Sequence, residues 1–367
     1  MRLVELRLRD FRNYASQDVA LGDGITIFSG PNAQGKSNLL ESVYTVAVGR
    51  SHRTVADVEL VRFGQDRAYV RAVVEGVRSS TLEVAFDRGT GEKRIKVNGV
   101  RAQRGQLLGR LVVVLAGPLD DEVVCGSPAH RRRLMDTALS QVSPSYYFHL
   151  VRYLRVVRQR NHLLRIGASS AALAPWDEQL IELGAVIAER RREFVLALGA
   201  RVQARHARIA GGDERLEMTY VGPALADGPA GSEDGRRALA RALDECRGDE
   251  RRRGMSLVGP HRDDLRLSVN GVDLKTFGSH GQQHTAALSI RLGEVEFLRD
   301  ELDEWPVVLL DDVLADLDSF RQALLLREVA GPQVLMTHTA LPHAPGIPLR
   351  HFSVQAGALV EERGVLA

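Results

Sequence analysis

The chain has 367 residues, 44% hydrophobic and 26% charged, which suits two or so folded domains with cores of their own and excludes disorder along its whole length. Lys and Arg number 49 against 47 Asp and Glu, a formal net charge of +2, so attraction to a polyanion must come from local clusters and not from the total. The two cysteines, Cys125 and Cys246, lack CxxC spacing; they exclude a disulfide framework or a Cys-built zinc site and suit a reducing compartment.

Residues 1–9 alternate charged and apolar side chains and read as a strand, not an apolar targeting segment. No apolar run approaches the roughly 18 residues of a spanning helix. Residues 112–116 and 307–310 are of buried-strand length, so the expectation is a cytoplasmic protein with no membrane partner. Further strands are expected at 25–28, 69–74, 81–86 and 94–97, with Asn98-Gly99 supplying the positive φ values of a hairpin turn.

From about residue 128 to 254 the pattern is helical. Ser143-Pro144 offers an N-cap and a first-turn proline, and Tyr147, Leu150, Leu154, Val157 and Leu164 then mark an apolar face. Trp176, Leu180, Leu183, Ile187, Phe194, Leu198 and Val202 mark a second helix, which could pair antiparallel with the first through residues 167–175. A third helix is expected near 236–246. Strands return at 265–269 and 272–274 around Asn270-Gly271, followed by a helix from about Gln282 and the strand 307–310. The motifs described next are split between the two chain ends. The expected architecture is therefore an α/β P-loop head of mixed sheets and helices built from residues 1–125 and 255–367, with an inserted helical arm, 126–254.

Gly30, Pro31, Asn32, Ala33, Gln34, Gly35, Lys36 and Ser37 fit G-x-x-x-x-G-K-[ST] between a strand and a helix marked by Leu39, Leu40, Val43, Tyr44 and Ala47. Loop N–H groups and the helix N-terminus can cradle phosphate oxygens, with Lys36 reaching the β and γ phosphates and the Ser37 hydroxyl ligating Mg²⁺. The apolar run ending in Asp311 and Asp312 supplies a metal-holding acid, Asp311, and a candidate for polarising the attacking water, Asp312. Ser279, Gly281 and Gln282 open a further helix, where a hydroxyl and exposed N–H groups make an anion site or an ordinary N-cap. Three arginine triplets, at 131–133, 190–192 and 251–253, read either as solvated helix faces or as phosphate-neutralising patches.

The order of phosphate loop, long insertion, S-x-G-Q, acidic strand and Ala315-Asp316-Leu317-Asp318 resembles the ABC-type ATPases in their SMC-like DNA-repair branch. Within that branch the chain resembles the RecF family over nearly its whole length. Phe11-Arg12-Asn13-Tyr14, the loop through Asn38, Gly49-Arg50-Ser51-His52-Arg53-Thr54, Gly126-Ser127-Pro128 with Arg131, Arg132, Arg133 and Asp136, Gly259-Pro260-His261-Arg262-Asp263-Asp264, and residues 309–318 carry the likeness.

The resemblance implies ATP and Mg²⁺ as cofactors, phosphate contacts from Arg12, Asn13 and Asn38, and His338 as a γ-phosphate-sensing switch. It implies that Ser279, Gly281 and Gln282 of one subunit close on the nucleotide of another in an ATP-dependent homodimer. It further implies slow, DNA-stimulated hydrolysis, binding of duplex DNA near junctions with single strands and at gaps, RecR (with RecO) as partner, and loading of the recombinase; Arg131, Arg132 and Arg133 are the candidate DNA contacts.

Three departures stand out. Asp312 replaces the commoner glutamate, residues 111–122 hold no candidate for the metal-sensing glutamine, and His280 and His284 stand where arginine is more usual. The alternatives are a transporter's ATPase subunit and a nucleotide-gated DNA clamp without hydrolysis.

Overall fold

The computed structural model describes residues 1–212, 214–223, 232–315, 319–341 and 348–362. It divides into two compact units, Met1–Asp120 with Leu288–Ala367, and Asp121–Ala287. The second unit includes residues 255–287, which the sequence reading assigned to the head.

Two sheets build the first unit. β1 (Arg2–Phe11), β2 (Tyr14–Ala20), β4 (Arg67–Glu75), β5 (Ser80–Asp87), β6 (Lys93–Val97) and β7 (Val100–Ala102) form an antiparallel sheet in the order β2-β1-β4-β5-β6-β7. Alternation sets its faces: Ser80, Leu82, Val84 and Phe86 of β5 point inward, and the residues between them are partly exposed. Asn98 and Gly99, at φ 52 and 77, make the tight turn between β6 and β7.

The other sheet contains β3 (Ile25–Ser29), β8 (Val113–Ala116), β12 (Val307–Asp311), β13 (Val334–His338), β14 (Leu349–Gln355) and β15 (Ala358–Glu361), ordered β15-β14-β3-β13-β12-β8. Every neighbouring pair is parallel except β14 with β15. β3 and β12 are buried at every position, as strands inside a parallel sheet should be. α1 (Lys36–Val48) leaves the end of β3 and stops at Gly49 in the left-handed conformation; α2 (Arg104–Leu107) and α10 (Ser319–Glu328) belong to the same unit.

The second unit holds α3 (Asp121–Val124), α4 (Pro128–Val142), α5 (Pro144–Arg165), α6 (Ser170–Ala210), α7 (Ser232–Arg253), α8 (Leu274–Phe277) and the antiparallel sheet β11 (Val272–Asp273), β10 (Asp264–Val269), β9 (Leu216–Val221). α9 (His280–Leu302) contributes to both units. Ser143 caps α5 by accepting from the Tyr146 N–H, with Pro144 at the first position. α6 begins at Ser170 and carries Pro175 inside it, so the connection to α5 is shorter than residues 167–175.

The α5 seam also differs from the expected series. Tyr146, Leu150, Tyr153, Val157 and Leu164 face inward, while Leu154 is 43% exposed. Adjacent apolar residues allowed either of two faces, and only packing against α6 selects one.

Two of the three arginine triplets divide across helix faces, because consecutive helical residues point about 100° apart, whereas Arg251, Arg252 and Arg253 are all exposed. Arg131 is buried and paired with Asp264 at 2.6 Å, Arg132 donates to the Asp263 carbonyl at 2.8 Å, and only Arg133 of the three is exposed. Arg191 is likewise buried, paired with Asp136 at 2.7 Å and donating to the Pro260 carbonyl at 2.6 Å. Two of the three side chains proposed as DNA contacts at 131–133 are thus held against protein.

Candidate functional site

β3, β13 and β12 lie side by side, with Ser29 opposite His338 and Thr337 opposite Asp311. Their carboxyl ends therefore gather the phosphate loop, Thr337, His338, Asp311 and Asp312 at one edge, the usual position for ligands on parallel sheets. The loop takes backbone that few side chains tolerate: φ is 151 at Gly30, 64 at Ala33 and 113 at Gly35. A Cβ on Gly35 would stand 2.5 Å from Asn13 Nδ2, so this glycine is needed for space as well as for conformation.

The polar atoms at this edge bond to one another. Lys36 Nζ donates to the carbonyls of Gly30 at 2.6 Å and Pro31 at 2.9 Å, which curls it over the loop. The Ser37 hydroxyl donates to Asp311 Oδ1 at 2.8 Å, and the Thr337 hydroxyl donates to the same oxygen at 2.7 Å. Thr337 Oγ1 in turn accepts the Asp312 N–H at 2.9 Å. Thr337 thereby fixes the peptide between the two acids, a role that a threonine within an apolar strand gave no sign of in the sequence.

Asp312 sits at φ 54, a left-handed conformation that turns its carboxylate away from the strand line. Its Oδ1 lies 3.5 Å from His338 Nδ1, and both buried atoms lack a hydrogen bond among the described residues. Two unsatisfied polar atoms facing each other at a strand end make a place for a water, whose hydrogen the carboxylate oxygen can accept.

Asn13 Nδ2 donates to the Gln34 carbonyl at 2.9 Å, and Asn38 Nδ2 donates to Asn13 Oδ1 at 2.9 Å, so both asparagines brace the loop. Arg12 is directed to protein: Nε and Nη2 donate to Glu41 at 2.9 and 2.8 Å, and Nη1 to the Glu59 carbonyl at 2.9 Å. Glu41, wholly buried on α1, also accepts from Ser51 at 2.5 Å and lies 3.5 Å from Arg53, whose Nη1 donates to Asn38 Oδ1 at 2.8 Å. Burial alone would raise the Glu41 carboxyl, but the bonds from Arg12 and Ser51 and the two guanidinium charges outweigh it and hold it below the ordinary value. Reading the sequence missed Glu41; its signal was an acid in the otherwise apolar first face of the helix after the loop.

The buried Asp311 carboxylate and the Ser37 hydroxyl are hard oxygen donors, the kind Mg²⁺ takes together with phosphate oxygens and water. No group of three His, Cys, Asp or Glu among the described residues could cage a metal unaided, so these donors suit an ion that arrives with a nucleotide.

The second unit presents Ser279, Gly281 and Gln282 on its surface. Ser279 Oγ accepts the Gln282 N–H at 3.2 Å and Gln282 Oε1 accepts the Ser279 N–H at 3.0 Å, a reciprocal capping box opening α9. Gln282 Nε2 also donates to Glu214 at 2.7 Å, and Glu214 meets the buried His206 at 3.1 Å. His284 Nδ1 lies 3.2 Å from Asp121, while His280 is 87% exposed on its side chain. Of the sequence-derived residues, 316–318 lie outside the described residues.

A phosphate loop on a parallel strand, acids at the end of β12, and a helix opened by S-x-G-Q after a long insertion define a P-loop protein with the fold of an ABC-type ATPase head. A family model described as an AAA domain matches residues 5–111. A protein of Symbiobacterium thermophilum named "DNA replication and repair protein RecF" is 41% identical, with 100% of both chains covered. One of the same name from Alkaliphilus oremlandii is 36% identical over 93% of this chain and 94% of its own.

A solved structure of "the recombination mediator protein RecF-ATP in RecFOR pathway" superimposes with a TM-score of 0.91 at 32% identity, covering 98% of this chain and 97% of that one. The Smc head domain of Pyrococcus furiosus shares the fold, with a TM-score of 0.57 at 15% identity over 98% and 96% of the two chains. The chain belongs to the RecF family of DNA replication and repair proteins. Among the described residues no helix is long and apolar enough to cross a membrane.

Proposed function

We propose that the chain is an ATP-gated DNA clamp of recombinational repair, working in the cytoplasm as a homodimer that ATP closes. ATP lies along residues 30–38, with Lys36 exchanging its two carbonyl partners for β- and γ-phosphate oxygens. Ser37 and Asp311 would hold Mg²⁺, which when bound neutralises phosphate charge. Asp312 polarises the attacking water, and His338, across 3.5 Å, reads the γ-phosphate. Arg12 and Asn13 border the phosphates, with Arg12 oriented by Glu41. Ser279, Gly281 and Gln282 of the partner subunit complete the site.

The observation that carries this reading is the pair of unsatisfied atoms on Asp312 and His338, held beside a loop whose glycines leave room only for backbone. The closed dimer grips duplex DNA near single-strand junctions and gaps and, with RecR and RecO, prepares the strand for the recombinase. Turnover is slow because the aspartate side chain is a methylene shorter than glutamate and stands farther from its water.

Phosphate release by the Asp312→Asn variant, with and without duplex DNA, is the test. A loss of at least tenfold is expected, about 1.4 kcal/mol in the barrier. Unchanged release would remove Asp312 from the chemistry. Sedimentation in Mg-ATP, Mg-ADP and no nucleotide tests closure, and a chain that stays monomeric in ATP would refute the dimer.

A further inference from the structure

We propose that the solvent face of α5 is a phosphate-tracking surface that lies along the backbone of double-stranded DNA. The proposal rests on the reading of the chain as a DNA-binding protein and adds where the duplex is held.

α5 runs for 22 residues without a single Asp or Glu. In a chain whose basic and acidic residues nearly balance, at 49 and 47, so long an acid-free helix is a local excess of positive charge. Arg152, Arg155, Arg158 and Arg165 are all exposed, and none makes an ion pair or side-chain hydrogen bond among the described residues. Several exposed or half-buried arginines elsewhere in the unit are instead paired: Arg190 with Glu193, Arg192 with Glu189, and Arg247 with Asp244. The helix rise of about 1.5 Å per residue spreads the four guanidinium groups over about 20 Å, close to six phosphate steps of one strand at about 3.4 Å each.

The basic surface continues past the end of α5. Arg251, on the last turn of α7, donates to the Ala168 carbonyl and to Ser170 Oγ at 2.8 Å, in the turn that follows α5. Gly254 packs against Arg165, where an added Cβ would come within 3.0 Å of its Cγ. The triplet at 251–253 is thus anchored beside Arg165 and extends the same patch.

Phe148 and Val151, just before the arginines, and Leu154, between Arg152 and Arg155, are 53%, 37% and 43% exposed and would supply apolar contact for sugar edges. An acidic protein could also dock on such a face. Unpaired arginines at every third residue from 152 to 158, with Arg165 two turns further on and no carboxylate on the helix, favour the evenly charged duplex over the scattered carboxylates of a protein surface.

The test uses the full-length chain with Mg-ATP and a labelled duplex, titrated from about 50 to 200 mM salt. Replacing Arg152, Arg155 and Arg158 together by Glu is expected to weaken binding roughly a hundredfold at 0.1 M salt and to reduce the salt slope by about 2.7, at about 0.9 per lost contact. Replacing the same three by Lys keeps the charge and is expected to leave the slope in place. Arg155→Gln alone, at an exposed residue with no ion pair or side-chain hydrogen bond among the described residues, should lower the slope by about 0.9 whatever the folding of the triple variant. DNA-free ATP turnover should be unchanged in all three.

An unaltered slope in Arg155→Gln and in the Glu triple would overturn the proposal, as would loss of a protein partner with DNA binding intact. Absence of duplex binding by the wild-type chain would instead refute the DNA-binding reading on which the proposal stands.

Discussion

Glu41→Gln should lower the stability of the first unit while leaving the shape of its side chain almost unchanged. The carboxylate is fully buried and accepts two charge-assisted bonds from Arg12 and one from Ser51, with Arg53 at 3.5 Å. Charge-assisted bonds contribute about 1.5–3 kcal/mol each, and opening a buried pair costs about 3–5 kcal/mol. Arg12 keeps 20% and Arg53 42% side-chain exposure, so water compensates part of the loss. The glutamine oxygen still accepts one bond, which brings the expectation to about 3 kcal/mol, or a fall in melting temperature of roughly 6–12 °C for a unit of this size.

The pH dependence has a definite sign. Because the folded carboxyl is held below its ordinary value, its contribution is complete above the unfolded carboxylate range and is lost as pH falls through the folded value. Thermal melts of both proteins should therefore differ fully at neutral pH and converge only below about pH 4. A glutamine variant melting with the wild type at neutral pH would refute the idea that this carboxylate organises Arg12 and Arg53.

Arg160 bonds Asp177 at 2.7 Å, Glu250 at 2.6 Å and Ser256 at 2.9 Å; Arg160→Met leaves the buried Glu250 without a cation and Asp177 with only Arg247 at 3.4 Å, and should cost about 3–5 kcal/mol, read by urea unfolding followed through helical signal. Burial pushes the His261 imidazole down to about 4, so its neutral form is the one that folds, and the second unit should lose up to roughly 3 kcal/mol as pH falls from about 6.5 to 4; His261→Gln should flatten that limb of the stability–pH curve. Thr337→Val removes the hydroxyl shared by Asp311 and the Asp312 N–H and should cost about 1–3 kcal/mol, with ATP turnover falling alongside; full activity would mean Thr337 does not set the acids.

Contiguity decided what the sequence made legible. The phosphate loop needs eight consecutive residues between a strand and a helix, and β3 and α1 stand where that pattern put them. Asp311 and Asp312 gained meaning only beside the loop, since an apolar strand ending in acids is common by itself. The Glu41 cluster was invisible because Arg12 lies 29 residues from its partner and only tertiary folding joins them.

Arg131 and Arg191 looked like surface charge because composition cannot distinguish a solvated arginine from one whose carboxylate arrives from a distant strand or helix, as Asp264 and Asp136 do. β2, β9, β14 and β15 were not read as strands. Segments such as Tyr14–Ala20 carry few apolar residues, and what makes them strands is pairing with a neighbour.

The glycines separate positions that the chain's own packing dictates from one that only the proposed dimer would constrain. An added Cβ at Gly30 would stand 2.5 Å from the Val354 carbonyl and one at Gly35 2.5 Å from Asn13, so the chain's own packing dictates both. Gly281 differs, because among the described residues beyond its own helix turn nothing lies within 4 Å of the position a Cβ would take there. It occupies the first turn of α9, where alanine is the better helix former by about 1 kcal/mol. By the chain's own physics Gly281→Ala should be neutral or slightly stabilising, and a melt should show no loss. In the proposed dimer the open space at this residue is where a phosphate and a second subunit would approach the Ser279 cap. The variant should accordingly fold and bind ATP as the wild type does, yet fail to dimerise in Mg-ATP when sedimented. Normal ATP-dependent dimerisation of that variant would show that no partner approaches the helix at this residue.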